Sequence, residues 1–237
     1  MLNHRLGAAF ALVLASLFSF SLYAREPRYT VLRVDPRTPA LGLYLRDQRG
    51  RPLHSPARLG RWLAARGQRL RYAMNAGMYE PDYAPVGLFV ADGNELSPLN
   101  LREGEGNFYL KPNGVFLLSD AGAQVVESSH YPALSRGVRL ATQSGPLLLQ
   151  DGRIHPRFDP RSTSRHIRNG VAVKDGVVLL VISDTAVNLY EFAAYFRDTL
   201  HCADALYLDG TVSSLYAPEL RRKDARARLG PMFGVTE

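Results

Sequence analysis

The chain has 237 residues, of which 46% are apolar and 22% charged, with a net charge of +7 and one cysteine, Cys202. This is an ordinary globular balance that excludes a disordered or low-complexity chain, and a lone cysteine excludes an intramolecular disulfide framework. The excess charge is arginine scattered over 46–71, 153–168 and 221–228. It forms no single basic element interleaved with aromatics, which argues against nucleic acid as a partner and leaves a phosphate-bearing or polyanionic ligand open.

In chain order, Arg5 precedes a run without charge from Leu6 to Ala24, and Arg25-Glu26-Pro27 ends it. A short basic start, an apolar stretch and a small residue before a polar break predict a secretory signal over 1–24 and a single mature domain over 25–237. The expected location is therefore outside the cytoplasm, in the periplasm. Leu22 is larger than the usual residue two places before such a cut, so a membrane-tethered form is the alternative. No later apolar run reaches spanning length.

Short strands are expected at Tyr29–Val34 and Leu41–Asp47. A helix follows from Pro56 to about Arg66, capped by Ser55 and stopped by Gly67. Further strands are expected at Arg71–Met74, Gly87–Val90, Asn107–Leu110, Gly114–Leu118 and Gln124–Val126. Turns fall at Ala91-Asp92-Gly93-Asn94 and Pro112-Asn113-Gly114. Leu147–Gln150 precedes a hairpin, Gly170–Val173 with Val177–Ile182, around Lys174-Asp175-Gly176. A second helix starts at Asn188, with Glu191 at its third position in a near capping box and Leu189, Phe192, Ala193, Phe196 and Leu200 forming its apolar stripe. It leads to a strand at Ala205–Leu208, which the connection predicts as a parallel neighbour of Val177–Ile182. The class is α+β: a twisted, largely antiparallel mixed sheet with inserted helices. Cys202 reads as a small buried apolar residue rather than a nucleophile.

Several polar clusters follow apolar strands directly. They are Asn75-Ala76-Gly77-Met78-Tyr79, Gly106-Asn107-Phe108-Tyr109, Pro112-Asn113-Gly114-Val115-Phe116, Gln143-Ser144-Gly145-Pro146, Ser164-Arg165-His166, Ile182-Ser183-Asp184 and Leu208-Asp209-Gly210-Thr211-Val212-Ser213-Ser214. Each alone reads equally as a turn. No His-x-x-x-His pair or His/Cys cluster indicates a zinc site.

In this order, from about Met74 to Ser214, the clusters resemble the phosphodiester glycosidase family. Two positions differ from the family pattern. Gly210 is followed by Thr211-Val212 before Ser213-Ser214 instead of a glycine run, and His166 follows Arg165 where threonine is usual. The resemblance implies hydrolysis of a sugar 1-phosphodiester. The departing phosphate is already a weak base, so this chemistry needs an anion clamp, a carboxylate to direct water or attack C1, and donors for sugar hydroxyls. The implied roles are Asp209 as base or nucleophile, Asp184 as second carboxylate, Arg165 as phosphate clamp and His166 as further donor or acid. Asn75, Gly77, Asn113, Ser144, Gly210, Thr211 and Ser213 are the implied substrate contacts. No cofactor is required, although carboxylates and carbonyls leave room for a divalent cation. The expected partner is a glycan or phosphosugar of the envelope or an exopolysaccharide. The altered segment after Asp209 keeps a second reading open, a non-catalytic phosphosugar- or glycan-binding protein on the same fold.

Overall fold

The computed structural model describes residues 28–237 other than Pro39 and Arg226, so the expected signal segment lies outside the described residues. In chain order the strands are β1 (Tyr29–Val34), β2 (Leu41–Tyr44), β3 (Leu70–Asn75), β4 (Phe89–Ala91), β5 (Asn94–Ser97), β6 (Gly114–Ser119), β7 (Gly122–Glu127), β8 (Val138–Ser144), β9 (Leu147–Gln150), β10 (Arg153–Ile154), β11 (Asn169–Lys174), β12 (Val177–Ser183), β13 (Ala205–Asp209), β14 (Leu215–Ala217), β15 (Arg222–Lys223) and β16 (Met232–Thr236). The helices are α1 (Pro56–Ala64), α2 (Tyr131–Leu134) and α3 (Leu189–Ala194).

The strands form three sheets, ordered β1-β12-β11-β13-β9-β10, β15-β14-β3-β16-β2 and β5-β4-β8-β6-β7. One apolar cluster joins them, drawing Leu32 and Leu180 from the first, Leu43 and Phe233 from the second, and Phe89 and Phe116 from the third. Each sheet therefore buries one face in a shared core, which makes the α+β chain a single domain. A second cluster packs α3, through Phe192 and Phe196, on the outer face of the first sheet.

Local chemistry sets the turns. Asp92-Gly93, Asp151-Gly152 and Asp175-Gly176 all have positive φ, between 49° and 77°. That is the turn geometry whose twist matches an antiparallel hairpin. Ser55 caps α1 by accepting from the Arg58 amide, with Pro56 at its first position. Asn188 and Glu191 form the expected capping box on α3, which then runs into a π-helical turn over Tyr195–Thr199.

Three expectations change. Every ladder among the described residues is antiparallel, and β12 is not a neighbour of β13, because β11 lies between them and pairs with both. Asn107–Tyr109 is a 3-10 turn rather than a strand, held by the Asn113 side-chain amide donating to the Phe108 carbonyl at 2.9 Å. Pro112-Asn113 leads into β6 without a hairpin, since the β6 partners are β7 and β8.

Candidate active site

Asp209 is the last residue of β13 and is 8% exposed. The chain turns sharply after it, and the amides of Thr211 and Val212 donate to its Oδ1 at 2.6 and 3.0 Å. No hydrogen bond among the described residues reaches Oδ2. Burial raises the carboxyl above its ordinary pKa, and the amides of Val212, Thr211 and Gly210 and the charge of Arg168 pull the other way. A carboxylate with one oxygen fixed and the other available is suited to act as base or nucleophile.

Asp209 lies on the wall between two adjoining clefts. The first, about 290 Å³, is lined by Ser164, His166, Arg168, Tyr207, Asp209 and Thr211, among others. The second, about 480 Å³, includes Tyr79, Glu80, Glu105, Tyr109, Asp209 and Val212. Met78, Asn107, Asp209 and Thr211 line both. Together they make a two-lobed groove of ligand-binding size.

Arg168 dominates the first lobe, and the motif reading did not single it out. Its side chain is 2% exposed. The guanidinium donates to three neutral acceptors, all at 2.8 Å: the Val187 carbonyl, the Tyr207 hydroxyl and the Ser164 carbonyl. It forms no ion pair among the described residues. A buried cation satisfied by dipoles alone leaves a positive field in the lobe, which favours an anion there. Tyr207 is itself buried, which drives its hydroxyl pKa upward, and so it remains a neutral acceptor for Arg168.

The segment carrying Arg168 runs extended beside Val187, with which His166 exchanges both backbone bonds. In an extended segment alternate residues share a face. His166 and Arg168 both line the lobe, whereas Arg165 and Ile167 do not. Arg165 instead makes a bidentate pair with Glu191, at 2.8 and 2.9 Å, and donates to the Ala186 carbonyl. The expected phosphate clamp is thus committed to the capped end of α3, and Arg168 holds the position in the cleft.

Asp184 also lies off the groove. Its carboxylate accepts from Thr30 at 2.8 Å and pairs with Arg222, which in turn pairs with Asp224 at 2.9 Å. Its place as second carboxylate is withdrawn for that reason. Asp184→Asn is expected to leave turnover within about twofold and to cost less than about 1 kcal/mol, because the pair is partly solvated. Steady-state kinetics and a denaturant melt measure the two effects.

Of the implied substrate contacts, Gly210 and Thr211 line the groove. Asn75, Gly77, Asn113, Ser144 and Ser213 are buried and do not line it. Their groups make the frame behind it. The Asn75 amide donates to Asn169 Oδ1 at 3.1 Å, Asn169 returns a bond to the Asn75 carbonyl at 2.8 Å, and Asn75 Oδ1 accepts from the Ser214 amide at 2.9 Å. Ser213 Oγ lies 3.0 Å from Asn169 Oδ1 and 2.9 Å from the Asp209 carbonyl, and its one hydrogen can serve either. Ser144 Oγ donates to the Leu208 carbonyl at 3.2 Å. Gln143 likewise holds Leu88, Asn100 and Ser128 through its side-chain amide. These bonds fix both ends of the Asp209 turn, as a supporting layer must for a precise site. Gly145 lets the 3-10 turn approach: a Cβ there would stand 2.5 Å from the Phe108 carbonyl.

Gly210 has the same kind of requirement inside the groove. A Cβ on it would lie 2.1 Å from the Tyr207 hydroxyl and 3.1 Å from the Arg168 guanidinium. Gly210→Ala is therefore expected to displace the Tyr207–Arg168 bond, costing about 1–3 kcal/mol as an overpacked site. A thermal melt measures this, and activity should fall with it. Among the described residues no three His, Cys, Asp or Glu side chains cluster as metal ligands would. No helix among them is long and apolar enough to cross a membrane. Cys202 is buried, with its thiol pushed up to about 11, as a packing residue should be.

Comparison with known proteins bears on this arrangement. The model of the phosphodiester glycosidase family matches residues 68–236. Uncharacterized protein YigE of Escherichia coli (strain K12) is 37% identical over 194 residues, covering 81% of this chain and 76% of the relative. The zebrafish N-acetylglucosamine-1-phosphodiester alpha-N-acetylglucosaminidase catalytic domain superposes with a TM-score of 0.55 at 14% identity, over 88% of each chain. A candidate exported protein of Burkholderia pseudomallei superposes with a TM-score of 0.52 at 15% identity, over 87% of this chain and 73% of that one. At these identities the structural matches speak for the fold, and the family match covers most of the chain, including Asp209 and Arg168: the chain belongs to the phosphodiester glycosidase family.

Proposed function

We propose that this chain is an exported hydrolase that cleaves the bond between a sugar C1 and a phosphodiester oxygen in an envelope or exopolysaccharide glycan. The observation that carries the reading is the position of Asp209 between a lobe holding a buried arginine and a larger, polar and aromatic lobe. The phosphate occupies the first lobe, facing Arg168, His166 and the turn at Gly210-Thr211. The sugar occupies the second, which brings C1 beside Asp209.

In the reaction the C1–O bond breaks and its electron pair leaves with the phosphate oxygen. The product is a phosphate monoester, which needs little protonation, so no strong general acid is required opposite Asp209. Arg168 offsets the charge that grows on the departing oxygen. Asp209 Oδ2 either takes a proton from the attacking water or attacks C1 itself, forming an ester that water then hydrolyses. The reading calls for no cofactor. Export is supported by the sequence of residues 1–24 and by the likeness to the Burkholderia protein.

The test is incubation of the purified chain with a panel of sugar 1-phosphodiesters, with product analysis. Free sugar plus phosphate monoester is the expected outcome. Tight binding of the panel without product would instead support a phosphosugar-binding protein on this fold.

A further inference from the structure

The two lobes differ in charge. The first carries Arg168 and His166. The second is lined by Glu80, Glu105 and Asp209 and by no lysine, arginine or histidine. Glu80 and Glu105 are exposed and form no ion pair among the described residues. Asp209 is more than nine-tenths buried, lines both lobes, and has no hydrogen bond among the described residues to its Oδ2. Tyr79 lines the lobe beside them, its hydroxyl fixed to the Arg228 carbonyl at 2.6 Å and its ring stacked on Tyr83 at 5.6 Å. Burial, and after it the negative charge of Asp209, push the Tyr79 hydroxyl up to about 12, so it adds no further anion at neutral pH.

A groove that is positive at one end and negative at the other matches a ligand with the opposite polarity. A neutral sugar hydroxyl can be bound by one carboxylate, and an acetylated amine offers no charge to it. A free ammonium group gains from each carboxylate that faces it, and an additional anion on the sugar is repelled. The carboxylates do not cluster as ligands of a metal ion would. We infer that the substrate is a phosphodiester of an amino sugar whose amine is free, with the ammonium in the lobe of Glu80 and Glu105 and the phosphate in the lobe of Arg168. The inference rests on the hydrolase reading above.

The experiment uses three substrates with one common alkyl phosphate leaving group: the 1-phosphodiesters of glucosamine, N-acetylglucosamine and glucose. The expected result is a kcat/KM for the free amine about fivefold above that for glucose or the acetylated sugar, the size of a partly solvated charge contact. In the Glu80→Gln/Glu105→Gln double variant that ratio falls to below about twofold, the share left by Asp209, and raised salt lowers it in the parent protein. Both substitutions are at exposed positions, so folding is checked by an unchanged melt. Turnover with no preference for the amine, or with a preference undiminished in the double variant, overturns the inference alone. Turnover of none of the three overturns the hydrolase reading and the inference with it.

Discussion

Asp209→Asn is expected to lower turnover by about a thousandfold or more, the range for loss of a general base or nucleophile, while leaving the fold at least as stable as the parent. The two halves have different origins. Asparagine keeps an Oδ1 that can accept the Thr211 and Val212 amides, so the turn is retained. What it removes is the charge on the other oxygen. Burial raises the folded-state pKa of Asp209 above its unfolded value. A group shifted that way contributes stability fully below the unfolded pKa and loses it as pH rises through the folded pKa. At neutral pH the ionised carboxylate is therefore a burden on the fold, and the amide relieves it. The melting temperature of the variant should exceed that of the parent at neutral pH, with the gap closing on acidification through the carboxylate range. The activity of the parent should fall over the same acid limb, because the working form is ionised. A variant that is active, or that melts far below the parent at neutral pH, contradicts this account of Asp209.

Arg168 gives the second large effect. Arg168→Ala leaves the Tyr207 hydroxyl without its partner in a buried site and the Val187 carbonyl with the His166 amide alone, at a cost of about 1–3 kcal/mol. Loss of activity in that variant would say little about substrate. Arg168→Lys is the informative change: it keeps the charge and loses the planar fork, which an ammonium cannot reproduce. It should fold, with kcat/KM down by about a hundredfold. Inorganic phosphate supplies an independent readout. It should raise the melting temperature of the parent, as any ligand of the folded state does, and raise that of Arg168→Lys much less. Equal shifts in both proteins would remove Arg168 from the anion site.

The sequence conveyed much of this fold through its punctuation. Asp92-Gly93 and Asp175-Gly176 announced two hairpins, and Ser55 and Asn188 announced two helices. The strands β8 and β16 were harder to see. The second half of β8 is Thr142-Gln143-Ser144, which reads as a polar turn yet lies buried between two strands with its side chains bonded inward. Local pattern cannot distinguish a polar group that faces a ligand from one that faces a carbonyl. The same ambiguity governs the site. Asn75, Asn113, Ser144 and Ser213 have the sequence character of substrate contacts and act as the frame. The placement of Asp209 at a strand end is legible because Asp-Gly directly follows an apolar run. Arg165 sits in the recognisable motif, but alternation along an extended segment places Arg168, not Arg165, on the face of His166.

Hydrolysis of a sugar 1-phosphodiester in water enriched in oxygen-18 tests the central claim most directly, because the label records which bond breaks. Attack at C1, with Asp209 beside it and the phosphate held by Arg168, places the heavy oxygen in the sugar hydroxyl and leaves the phosphate monoester unlabelled. Heavy oxygen in the phosphate product would mean that the P–O bond is cut. In that case the assignment of the two lobes and the role of Asp209 are both wrong.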